Sequence, residues 1–95
     1  MSAANTYLVV FASLNQVALV KRSLYRRGVY VEMMRTPHSL AFTGCSFALR
    51  CDEGELAAVR ECCIKTGCEP RGVFEESVEL GGTNYRKIEC GGANA

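Results

Sequence analysis

The sequence predicts an α+β fold. Three observations carry this: short β-branched and aromatic runs of strand length, two segments with helix-start chemistry and a helical apolar period, and their succession as strand, helix, strand, strand, helix, strand. In that order two helices would cover one face of a four-stranded antiparallel sheet, the ferredoxin-like βαββαβ plan.

The first strand is Tyr7-Leu8-Val9-Val10-Phe11, apolar throughout and therefore read as a buried central strand. Ser13-Leu14-Asn15-Gln16 has the S-x-x-Q form of a capping box, so a helix begins there. Leu14, Val17, Val20 and Leu24 keep one apolar stripe, and Gly28 stands where a left-handed cap ends the helix. Val29 to Met34 alternates as a second strand, which Thr36-Pro37 stops because proline cannot donate to a ladder. Cys45 to Cys51 forms the third strand, with apolar side chains at the odd positions toward a covered face. Asp52-Glu53-Gly54-Glu55 opens the second helix with acids at its positive end. That helix runs to about Thr66, burying Leu56, Val59 and Cys63, and Gly67 closes it. Arg71 to Glu75 is the fourth strand. Beyond it, Gly81-Gly82-Thr83-Asn84 is either a hairpin turn or part of a mobile arm, and residues 91–95 are expected to be disordered.

With 95 residues the chain is read as one domain, residues 1–80, followed by a hairpin arm or flexible tail over 81–95. Its 11 Lys and Arg nearly balance its 10 Asp and Glu, so no global field draws in nucleic acid or an anionic membrane. Lys21 with Arg22, and Arg26 with Arg27, recur at helical spacing and read as a solvated face. The start of the chain lacks positive charge, and the run from Tyr7 to Ala12 is too short for a signal or a membrane span. A cytoplasmic location is therefore expected, where the six cysteines (Cys45, Cys51, Cys62, Cys63, Cys68 and Cys90) stay mostly reduced.

Several chemistries find no support. No paired CxxC knuckles occur and there is one histidine, so neither a zinc site nor a metal cofactor is expected. Gly81-Gly82 lacks the lysine and helix start of a phosphate loop, and one histidine among scattered acids marks no hydrolytic triad. Met33-Met34 offers soft ligands to copper but reads more simply as gap-filling core.

One segment carries a candidate chemistry. Between Arg35 and Cys51 a polar turn holding Pro37 and Gly44 delivers Cys45 to the mouth of the third strand. A thiol at a loop-to-strand junction stays reachable while its backbone is held, and Arg35, His38 and Arg50 are the nearby groups that favour a thiolate. His38 is also a proton acceptor. Strand parity sends Arg50 to the face opposite Cys45 and aligns Cys45 with Phe47, Leu49 and Cys51, so a packed thiol competes with a functional one. Cys51 lies too far along the strand to bond to Cys45. Cys63 reads as core, Cys62 as helix flank and Cys68 as exposed. Cys90, in a glycine-flanked tail, is a second thiol for exchange.

From Tyr7 to about Phe74 the chain resembles the family known as "putative selenium/sulfur carrier protein-like", a small domain of otherwise unknown function. The resemblance rests on a strand opening into a Ser-capped helix, on Thr36-Pro37 with Leu40, on Gly44-Cys45 leading to Ala48-Leu49-Arg50, and on Gly67 before the last strand. Ser46 stands where the family pattern carries glycine after the cysteine, and the Cys-Pro-x-Pro helix entry of better understood sulfur-relay carriers is missing.

The resemblance implies a carrier without turnover of its own. Cys45 would accept sulfur or selenium as a persulfide or selenosulfide and pass it between donor and acceptor proteins, with Gly44, His38 and Arg50 completing the site. No cofactor is implied beyond that covalently carried cargo. Two other readings stay open: a binding or regulatory module that docks a partner or a second copy, as a homodimer, through its sheet, and a thiol redox sensor joining Cys45 to Cys68 or Cys90.

Overall fold

The computed structural model describes residues 6–37 and 47–90, with the backbone alone at Glu79, Glu89 and Cys90. The chain folds as β1 (Thr6–Phe11), α1 (Leu14–Arg26), β2 (Glu32–Arg35), β3 (Phe47–Asp52), α2 (Glu53–Thr66), β4 (Gly72–Glu79) and β5 (Gly82–Cys90). One antiparallel sheet has the order β2-β3-β1-β4-β5. The sheet thus has five strands where four were expected. The extra strand arises because Gly82, at φ +126, lets the chain reverse after β4 and pair back along it. β5 covers what would otherwise be an open edge of β4.

Central β1 pairs on both sides, Val9 facing Leu49 on β3 and Val73 on β4. Its alternate residues feed two different clusters. Tyr7, Val9 and Phe11 join Leu49, Cys51 and Val73 beneath Val17, Val20 and Leu24 of α1 and Val59, Cys62 and Cys63 of α2. Leu8 and Val10, on the other face, pack with Ala48 and Phe74 and are bordered by Met34 and Tyr85. Both faces of the sheet centre are therefore sealed, which explains why β1 is apolar without alternation.

The helix boundaries follow their caps. Ser13 accepts the Gln16 backbone N–H at 3.3 Å, while the Gln16 side chain accepts from the Ala12 N–H at 3.2 Å, one residue before the usual reciprocal donor. Asp52 and Glu55 form the full reciprocal box on α2, at 2.9 and 3.1 Å. Gly28 and Gly67 take positive φ at the two helix ends, as their positions predict. Leu14 departs from its expected place in the apolar stripe: it is the first residue of α1, half exposed beyond the sheet's cover. Among the described residues no helix is long and apolar enough to cross a membrane.

Candidate functional site

Of the expected site residues, Cys45, Gly44 and His38 lie outside the described residues. Arg50 is described. It stands on the helix-free face of β3, paired in register with Leu8 and Glu32. Its guanidinium lies 3.1 Å from Glu76 Oε1 and 3.9 Å from Glu32 Oε1. Glu76 is a largely buried carboxylate whose Oε1 has no directed hydrogen bond, so the Arg50 contact is an ion pair rather than a well-aligned donor. Tyr85 donates its hydroxyl to Glu76 Oε2 at 3.4 Å. Burial, and then the Glu76 charge, raise the Tyr85 phenol above its ordinary value, so it stays a donor. Arg50, Glu76, Tyr85 and Glu32 thus form a charged border to the apolar centre of that face.

The described cysteines sit on or under the helix-covered side, and their environments differ. Cys51 is buried on β3, and its thiol is pushed up to about 12, first by burial and then by the negative charges of Glu55 and Asp52. Cys63 is likewise pushed up to about 12 by burial, with Cys68 and Cys62 adding to it. Both remain protonated at neutral pH. Since the thiolate is the nucleophile, neither is suited to attack a sulfur donor alone.

Cys62 is fully buried, where the sequence placed it on the helix flank. Its sulfur accepts from Ser23 Oγ at 3.2 Å and lies 3.7 Å from Arg27 Nη1, while Arg27 also pairs with Glu61 at 2.8 Å. The approach of α1 to α2 closes that flank, a contact that helical period within α2 does not reveal. Cys68, expected to be exposed, is buried as well. Its backbone N–H turns back onto the end of α2, carrying the side chain into the core. The backbone of Cys90 lies at the end of β5, opposite Gly72, rather than in a free tail.

One feature escaped the reading of the sequence. Between α1 and edge strand β2 lies an apolar groove of about 660 Å³, walled by Leu14, Tyr25, Val29, Tyr30 and Met33 with Lys21 and Arg22 on its rim. Tyr25 and Tyr30 meet edge to face with centroids 5.2 Å apart, and both are more than 60 % exposed. The only signal in the sequence was the aromatic pair flanking the Gly28 cap.

The fold and these side chains define a small α+β protein rich in thiols, with a helix-covered sheet and a charged opposite face. The family "Putative Se/S carrier protein-like" matches residues 6–75. The chain belongs to that family. No curated protein and no solved structure matches it.

Proposed function

We propose that this protein is a thiol carrier that accepts sulfur or selenium on Cys45 and delivers it to a partner enzyme, without turnover of its own. The observation that carries the reading is the family match, whose span includes Cys45. The buried state of the other core thiols supports it: Cys51 and Cys63 are held protonated, and Cys62 is sealed. In the loading step the Cys45 thiolate attacks the outer sulfur of a donor persulfide. A new S–S bond forms, the donor bond breaks, and the donor leaves as a thiolate. His38 takes the Cys45 proton beforehand, and Gly44 allows a donor to approach the backbone. Arg50, held by Glu76 and Glu32, acts by ordering β3, the strand that follows Cys45 in the chain. The fold that accompanies this reading is the ferredoxin-like plan with one added edge strand, in a cytoplasmic protein.

The test is intact mass of the reduced protein after a persulfide or selenosulfide donor, each of which transfers its outer atom to the thiolate and leaves as a thiolate, with wild type compared to Cys45→Ser. The adduct is expected on wild type alone. An adduct that survives Cys45→Ser undiminished removes Cys45 from the role.

A second reading, a binding module without thiol chemistry, is favoured by the apolar groove beside β2, where exposed Tyr25 and Tyr30 border an edge strand suited to pairing with a partner or a second copy. Partner capture that persists after complete thiol blocking, but falls with Tyr30→Ser, would select it.

A further inference from the structure

The end of α2 brings two thiols together. Gly67, at φ +73, reverses the chain, its N–H donating to Ile64 O at 3.2 Å and the Cys68 N–H donating to Cys63 O at 3.0 Å. This pair of bonds is a Schellman ending, which frequently brings the side chain two past the helix beside the one three before its end. Apolar residues usually fill both places; here both are cysteines. The 3.0 Å backbone bond keeps the two residues within the separation that a two-sulfur bridge spans, about 4.4–6.8 Å between Cα atoms.

Independent features agree with that pairing. Cys63 and Cys68 line the same surface depression of about 310 Å³, together with Gly67, Glu69 and Pro70. They are 7 % and 4 % exposed, at the margin of the core, and the Cys68 Sγ donates weakly to Thr66 O at 3.8 Å; Cys62 is fully buried with its sulfur engaged by both Ser23 and Arg27. Cys62 and Cys63, although adjacent in sequence, point about 100° apart around the helix, and Cys62 does not line the depression that Cys63 and Cys68 share. Among the described residues no three metal-binding side chains gather at one point. What this pair suits is an element satisfied by two sulfurs.

We propose that Cys63 and Cys68 form a dithiol site for a soft main-group element that binds two thiols at once, with trivalent arsenic as its probe. With an organic arsenoxide, two As–S bonds form, and the arsenic-bound oxygen leaves as water with both thiol protons. Arsenic stays trivalent, so no oxidant or reductant is needed. The two thiols bond in turn from the depression that both line, and the second bond closes the chelate. The second bond forms within one molecule, which is why the pair outcompetes any single thiol. The chelate does not use Cys45, and neither proposal depends on the other.

The reduced full-length protein is treated with phenylarsine oxide, washed with excess monothiol and digested with trypsin, which cuts after Arg60, Lys65 and Arg71. Peptides 61–65 and 66–71 are expected to stay joined through arsenic in wild type, in Cys45→Ser and in Cys62→Ser. Retention against monothiol should fall on the order of 10²-fold in Cys68→Ser. The Schellman bonds come from the backbone, so this variant keeps its fold; if Cys62→Ser melts early, Cys62→Ala replaces it. Arsenic found on peptide 61–65 alone, or retained equally by Cys68→Ser, overturns the proposal.

Discussion

The two faces of one sheet are built for opposite ends. Under the helices, Val9, Phe11, Leu49 and Val73 form a wide apolar floor, and the thiols placed there lose their acidity. On the other face the sealed centre is small, with Leu8, Val10, Ala48 and Phe74, and a charged border of Arg50, Glu76 and Tyr85 stands beside it. Cysteine content alone therefore says little about thiol chemistry in this protein. Burial beneath the helix layer holds Cys51 and Cys63 in the protonated form at neutral pH.

Truncating a core side chain on each face in turn should give the largest effects. Leu49→Ala beneath the helices and Leu8→Ala opposite are both fully buried and should each cost about 2–5 kcal/mol. Urea denaturation measures both; a loss below about 1 kcal/mol for Leu8→Ala would reduce the helix-free centre to a surface patch.

A smaller effect belongs to the charged border. Glu76→Ala removes the buried partner of Arg50 and the Tyr85 acceptor and should cost about 1–2 kcal/mol, whereas Glu32→Ala removes an exposed partner at 3.9 Å and should cost under about 0.5 kcal/mol. Equal effects from the two substitutions would mean that Glu76 is as solvated as Glu32.

The smallest effect near neutral pH concerns the thiols. Cys51 and Cys63 are raised from 9.0 to about 12 in the folded chain, so above pH 9 the unfolded chain releases protons that the folded chain keeps. Stability is therefore fully present below about pH 9 and declines toward pH 12, and the decline should flatten in Cys51→Ala. Thermal melts at stepped pH read the slope, and an unchanged slope in that variant would show Cys51 to be solvated in the fold.

Much of this architecture was legible in local patterns because its signals are local. Ser13 and Asp52 capped the helices where hydroxyl and carboxylate chemistry requires, and Gly28 and Gly67 ended them. Leu14 misled because a periodic stripe does not record where the sheet beneath it stops. Cys62 and Cys68 misled for a related reason: the cover over one comes from α1, and the other is drawn inward by the reversal at Gly67. Cys45, His38 and Gly44 were singled out by residue chemistry and by resemblance, and they lie outside the described residues.

Local residue patterns were enough for the order of the first six elements, the helix boundaries and the apolar character of β1, since each depends on backbone chemistry within a few residues. Only the tertiary structure decided that β5 pairs onto β4, that Arg50 meets Glu76, and that four separate cysteines share one buried layer. The hairpin turns on Gly82, whereas the Arg50 contact and the shared layer join residues distant along the chain, with energies from burial and charge pairing that exist only once the sheet has closed.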